Sequence, residues 1–313
     1  MLEETLGGIL MNRRTFCMTA LLLSVAPCLA QRNFDSVKIK ATHVAGAVHM
    51  LEGSGGNIGI SVGKDGVLMI DDQFAPLAEK IEAAIKDVSG GRGSLKFVVN
   101  THWHGDHTGG NPHFGRSATI VAHDNVLKRL STRQTMRAGA QQRVSEPIDS
   151  AGWPVITFDD SLSIHFNGEE IKVMHLPNGH TDGDSVVYFM KSKVLHMGDD
   201  FFAGKFPFVD LSSAGSVEGL ARNVAHVLER VPDDVKVIPG HGALSTVDDL
   251  KAFHQMLVET TQFVRERMKA GKTLDQIKAE GFPSEWDSFD GGFISAARWI
   301  DTIHASLSAP AGS

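Results

Sequence analysis

A chain of 313 residues, 42% hydrophobic and 21% charged, is long enough to bury a sizeable core, and it carries no low-complexity tract or internal repeat. Its formal charge of −7 argues against nucleic acid as a partner, because phosphate binding needs a basic surface. A small-molecule substrate is the expected partner, and the sequence holds no indication of oligomeric state.

Residues 1–30 read as an export signal rather than as structure. Arg13-Arg14-Thr15-Phe16 precedes an apolar run over 18–25, and small residues before Gln31 make cleavage after Ala30 the expected processing. That run is too short for a permanent span, so no stable membrane insertion is expected after cleavage. The paired arginines resemble a twin-arginine signal, with Met11 as an alternative start, and the expected destination is a bacterial periplasm. A plain secretory signal and an uncleaved anchor are the competing readings. Both cysteines, Cys17 and Cys28, lie in this leader, so the rest of the chain has no disulfide, thiol nucleophile or thiolate ligand.

Residues 37–51 and 58–70 read as strands of a hairpin-rich sheet, separated by Glu52-Gly53-Ser54-Gly55-Gly56. This glycine run fails the G-x-G-x-x-G phosphate spacing at its last position and reads as a turn. Asp71 closes the strand over 67–70. A helix over 76–87 follows, then a strand over 95–100 that delivers Thr101-His102-Trp103-His104-Gly105-Asp106-His107. Three imidazoles and a carboxylate in six consecutive residues form a ligand density that packing alone has little reason to produce. Histidines at i and i+2 cannot share a helix face, so His102 and His104 need an extended or looped segment. Asp106 and His107 can turn back toward a second point, and two neighbouring metals fit this better than one.

A metal centre needs further ligands, and three small-residue loops follow apolar strands. The strand over 171–176 precedes Gly179-His180-Thr181, those over 185–190 and 194–197 precede Gly198-Asp199-Asp200, and that over 235–238 precedes Pro239-Gly240-His241-Gly242. Phe201, Phe202, Phe206 and Phe208 either pack in the core or wall an apolar pocket, and Lys205 among them is either solvated or faces a substrate carboxylate. A helix over 217–231 aligns Val217, Leu220, Val224, Val227 and Val231 on one stripe, and one over 248–270 aligns Leu250, Phe253, Leu257, Val264 and Met268. Trp286 and Trp299 read as staples for a C-terminal helix.

The ordered set H-x-H-x-D-H, G-H, G-D and P-G-H-G, spread over about residues 36–245, resembles the metallo-β-lactamase fold superfamily. The resemblance implies an α+β fold, a four-layer αββα sandwich with C-terminal helices. It implies one catalytic domain over 31–313, with a helical C-terminal appendage from about 247. It further implies a first metal on His102, His104 and His180, a second on Asp106, His107 and His241, and Asp199 bridging them. Asp71 resembles a carboxylate that orients a ligating imidazole, against the simpler reading of a turn residue.

Imidazole and carboxylate ligands make two Zn2+ per chain the default, with iron or manganese as alternatives. The expected function is a dinuclear zinc-dependent hydrolase that cleaves a lactam, lactone, ester or thioester with a metal-bridging hydroxide, β-lactamase activity included. Asp106 is the candidate catalytic residue, orienting that hydroxide. Phe202 stands where lactonases of the family often carry tyrosine, and Arg265, Arg267, Lys269 and Lys272 look like one solvated helix face rather than a glutathione grip. The alternatives are an iron-dependent, persulfide dioxygenase-like oxygenase and a metal-stabilised periplasmic redox-system component on the same fold.

Overall fold

The computed structural model describes residues 33–138 and 141–309. The export signal read over 1–30 lies outside the described residues. Two hairpins come first: β1 (Lys40–Ala45) with β2 (Val48–Glu52), then β3 (Ile58–Gly63) with β4 (Gly66–Ile70). Every residue of β4 is buried, the pattern of a strand covered on both faces. After α1 (Ala78–Ser89), β5 (Leu95–Val99) lies parallel to β4. Two single turns, α2 (Gly105–Thr108) and α3 (Asn111–Phe114), lead to β6 (Thr119–His123), and α4 (Asp124–Leu130) follows. A separate hairpin of β7 (Gln134–Ala138) and β8 (Gln141–Ser145) precedes β9 (Ile156–Phe158). The first sheet has the order β1-β2-β3-β4-β5-β6-β9.

The second sheet contains β10 (Ser161–Phe166), β11 (Glu169–Leu176), β12 (Asp184–Phe189), β13 (Val194–His196), β14 (Lys236–Ile238) and β15 (Ser245–Thr246), paired in that order. Its β13–β14 pair is parallel, joined through α5 (Val217–Leu228). The chain then forms α6 (Val247–Lys269), α7 (Leu274–Glu280) and α8 (Ala296–Ser308).

Side-chain alternation explains the layers. Met50, Leu68, Ile70, Val99 and Val121 of the first sheet meet Ile171, Val173, Val187, Phe189 and Ile238 of the second in one buried cluster. The opposite face of the first sheet, with Ile58, Ile60, Val67 and Met69, takes Leu77, Ala78, Ile81 and Ile85. The outer face of the second sheet takes Leu220 and Val224 of α5, Phe253 and Leu257 of α6, and Trp299 and Ile303 of α8. Each fully buried aliphatic of these stripes contributes about 1.5–3 kcal/mol over exposure. The result is the helix–sheet–sheet–helix sandwich.

Element ends differ slightly from the expected ones, for local reasons. Pro76 sits in a 3-10 turn over Ala75–Leu77, and the α-helix begins after it. The helix expected to reach residue 231 ends at Leu228, and Val231 still packs on the same core. Thr246 and Asp249 exchange bonds in a capping box that starts α6. Among the described residues no helix is long and apolar enough to cross a membrane. The C-terminal ends of β4, β5, β13 and β14 share one edge of the sandwich with the β11–β12 loop, and that edge carries the site.

Candidate metal centre

Five strand ends supply the side chains. Asp71 follows β4, the 101–107 segment follows β5, His180 lies between β11 and β12, Asp199 follows β13 and His241 follows β14. All seven sequence candidates come together in two groups: His102, His104, His180 and Asp199, and Asp106, His107 and His241. Asp199 faces both. Its Oδ2 lies 3.4 Å from His180 Nε2 and 3.8 Å from His102 Nε2. Its Oδ1 lies 3.1 Å from His107 Nε2 and 3.4 Å from His241 Nε2. Asp106 Oδ2 completes the second group, 3.5 Å from His241 Nε2 and 4.0 Å from His107 Nε2. His104 joins the first through Nδ1, 2.8 Å from His180 Nε2.

These spacings fit cations. Ligand bonds of about 2.0–2.1 Å in a tetrahedral zinc site put neighbouring donors roughly 3.3 Å apart. His102 Nε2, His107 Nε2 and Asp199 Oδ1 are buried without a hydrogen-bond partner, a cost that a shared ion removes.

The far side of each ring is held by the fold. His107 Nδ1 lies 2.7 Å from Asp71 Oδ2. Asp71 also accepts from the Thr101 amide and hydroxyl, both at 2.7 Å, which ties the start of the ligand segment to the end of β4. His180 Nδ1 meets the Phe208 carbonyl at 2.7 Å, and His102 Nδ1 meets the Thr101 hydroxyl at 3.0 Å. His104 Nε2 lies 3.1 Å from Asp210 Oδ2. Asp210 is a partner that sequence reasoning missed; its only local signal is the turn Asp210-Leu211-Ser212-Ser213, where both serine hydroxyls donate to it.

The glycine run over 53–56 is part of the site rather than a plain turn. A β-carbon on Gly56 would lie 2.1 Å from the His107 ring, and the Gly56 amide donates to the Asp106 carbonyl at 3.1 Å. Gly240 is similarly enforced, since a β-carbon there would meet Asp199 Oδ1 at 2.1 Å. The phenylalanines divide. Phe201 packs on Phe253, and Phe206 on Phe282, Phe289 and Trp299, so both belong to the core. Phe202 stacks on His241 at 5.0 Å, and half-buried Phe208 lies 5.8 Å from both His104 and His180. Half-buried Lys205 lies along the loop at Gly292.

Burial dominates the electrostatics. It pushes His180 down to about 4, and drives His102 well below 6.5 with help from the neighbouring imidazoles. Burial also works against a proton on His107, but Asp199, Asp71 and Asp106 outweigh it and hold that imidazole well above 6.5. For Asp199 burial is overcome by His241, His107, His180 and His102, which hold it well below the usual carboxylate range. Asp210 is lowered too, its burial offset by His104 and the two serines. Behind His180, burial raises Asp184 to about 7 while Asp184 accepts from the Thr181 amide and hydroxyl.

A cluster of buried imidazoles around a shared carboxylate, at the strand-end edge of an αββα sandwich, defines a metalloprotein of one fold. The family model for the metallo-beta-lactamase superfamily matches residues 51–264, and the chain belongs to that superfamily. It is 31% identical over 192 residues to an uncharacterized protein of Aquifex aeolicus, covering 61% of this chain and 86% of that one. It is 26% identical over 193 residues to a hydroxyacylglutathione hydrolase of Gloeobacter violaceus, covering 61% of this chain and 65% of the relative. Among solved structures, a metallo-beta-lactamase from Pontibacter korlensis matches in fold with a TM-score of 0.57 at 20% identity, over 70% of this chain and 99% of that one.

Proposed function

We propose that this metal-dependent hydrolase holds two zinc ions and cleaves a carbonyl compound, with a thioester, ester or lactone ahead of a lactam. His102, His104 and His180 would hold one ion, Asp106, His107 and His241 the other, and Asp199 both. The observation that carries the reading is the division of Asp199, whose two oxygens face different imidazole sets. A one-ion site does not require that arrangement. Neutral imidazoles and carboxylates with no thiolate suit zinc. The thioester class is favoured by the likeness to a hydroxyacylglutathione hydrolase.

When bound, the ion pair supplies a hydroxide near neutral pH, by lowering the pKa of water from 15.7 to about 7, and a Lewis acid for the carbonyl oxygen. The chain supplies position. Asp106 is 30% exposed where its neighbour His107 is fully buried, so its carboxylate faces the mouth of the site and orients the attacking water. Asp71, Asp210 and the Phe208 carbonyl fix ring orientation, which leaves Nε2 of His107 and His180 and Nδ1 of His104 aimed inward. Export to a periplasm through the Arg13-Arg14 signal belongs to the same reading.

Metal quantification followed by a panel of thioesters, esters, lactones and lactams tests it. Two zinc ions per chain and turnover of at least one class are expected. One iron per chain with visible absorption would instead favour the oxygenase, and a fully metallated but inert protein the redox component.

A further inference from the structure

The segment between α7 and α8 carries five large apolar side chains, and four of them are spent on the core. Trp286 and Ile294 are buried, and Phe282 and Phe289 pack on Phe206. Phe293 alone turns outward, 58% exposed. Its ring is not adrift: it lies 6.1 Å from Phe202 and 6.3 Å from the candidate ligand His241. Phe202 in turn stacks on His241 at an interplanar angle of 22°. Phe202 is fully buried, so it backs the other two rings, and Phe293 with the 19% exposed edge of His241 makes the accessible aromatic surface beside the second ligand group.

The backbone under Phe293 is fixed. Arg298 Nη1 donates to its carbonyl at 3.3 Å, and the Ala296 amide donates to Asp290 Oδ1 at 2.6 Å. The Phe206 amide donates to the Phe289 carbonyl at 3.2 Å, which ties this segment to the one leading from Asp199 to Phe208. What distinguishes Phe293 from the other exposed apolar side chains is its place: its ring lies 6.3 Å from His241, so a substrate seated at the second ligand group would meet its uncovered face.

We propose that Phe293 determines specificity by receiving an apolar acyl chain of the substrate across the exposed edge of His241, with buried Phe202 backing that wall. The inference rests on the hydrolase reading and narrows it: the substrate is an acyl compound whose alkyl or aryl acyl group, several carbons long, lies along this wall. Small polar acyl groups leave the ring uncovered and gain nothing from it.

The test uses product-like ligands that need no turnover. Straight-chain carboxylates from acetate to octanoate are titrated calorimetrically into the metal-loaded protein. Affinity is expected to rise with chain length in the unaltered chain. In Phe293→Ala the octanoate affinity falls roughly tenfold while acetate binds as before, since only the apolar contact is removed. Phe293→Leu restores most of the chain-length dependence. An equal dependence in Phe293→Ala, an equal loss for acetate and octanoate, or loss of metal from that variant overturns the proposal. Binding and turnover separate the two readings: a protein inert on every substrate class sinks the hydrolase, whereas the carboxylate series reads the wall by itself.

Discussion

Asp210 Oδ2 sits 3.1 Å from Nε2 of His104, across 106 residues of chain, and so determines which nitrogen His104 turns toward the other ligands. The remaining candidate histidines with a close inner contact present Nε2; His104 presents Nδ1, 2.8 Å from His180 Nε2. Without the carboxylate the ring is free to rotate, and Nε2 competes for the inward direction. Asp210→Ala is therefore expected to weaken metal binding at the His102-His104-His180 group roughly 10- to 100-fold, the usual effect of removing such an orienting partner. Asp210→Asn, which keeps an acceptor for His104 and the serines, should lose less. Competition against a zinc-chelating dye measures both.

The two roles proposed for Asp106, in metal binding and in rate, can be separated. Asp106→Ala should lower kcat by roughly 10²-fold or more, as expected for a group that orients the attacking water. It should also loosen the second ion, because Asp106 Oδ2 lies 3.5 Å from His241 Nε2. Kinetics at saturating zinc isolate the first effect, and wild-type-like turnover there would contradict the role.

The two ligand groups should respond differently to acid. Ligands bind metal only when deprotonated, so any proton held by the metal-free site must leave first. Burial brings His180 down to about 4, and protons do not compete for it until the pH approaches that value. His107 is opposite in sign: Asp199, Asp71 and Asp106 overcome its burial and raise it well above 6.5, so without an ion it holds its proton to higher pH than His180 does. Affinity at the Asp106-His107-His241 group should therefore climb as pH rises through neutrality, with a proton released on binding. Equilibrium dialysis between about pH 8 and pH 5 should show one ion lost well before the other. Simultaneous loss of both would contradict the assignment.

The convergence of the seven candidate side chains was legible because each stands in a motif at the end of an apolar strand, and strand ends on one edge must converge once two sheets pack face to face. Asp71 was legible by the same logic. Asp210 was not, since its contact to His104 is purely tertiary and its neighbours advertise only a turn. Nor was the role of Gly56, whose close approach to His107 follows from how β2 and β3 lie against the segment after β5. The β7–β8 hairpin escaped notice because residues 134–145 are mostly glutamine, arginine and small side chains, without the apolar alternation that marks a strand. Phe201 and Phe206 were ambiguous because a buried ring and a pocket ring have the same sequence pattern.

The proposed export assigns the translocation signal to the paired arginines. A chain carrying Arg13→Lys together with Arg14→Lys should stay in the cytoplasm as the unprocessed form, whereas the unaltered chain should fractionate with the periplasm. Both forms in the periplasm would instead indicate a plain secretory signal.

Trp299 links the C-terminal helices to the site. It is fully buried, its Nε1 donates to Thr260 Oγ1 at 3.0 Å, and its ring stacks on Phe206 at 6.2 Å. Phe206 lies two residues before Phe208, whose carbonyl holds His180. Trp299→Ala should cost about 3–5 kcal/mol of stability, through lost burial and the cavity left behind. Trp299→Phe keeps a six-membered ring in the core but removes the donor and the five-membered part of the indole. Thr260 still donates to the Met256 carbonyl at 2.6 Å, so its hydroxyl is not orphaned and the cost, from the lost hydrogen bond and a smaller cavity, should be about 1–3 kcal/mol, below that of Trp299→Ala. Urea denaturation of the metal-loaded protein distinguishes the two variants. An unchanged midpoint in Trp299→Ala would mean that α8 and the second sheet do not unfold as one unit, and that the wall presented by Phe293 is anchored by some other contact.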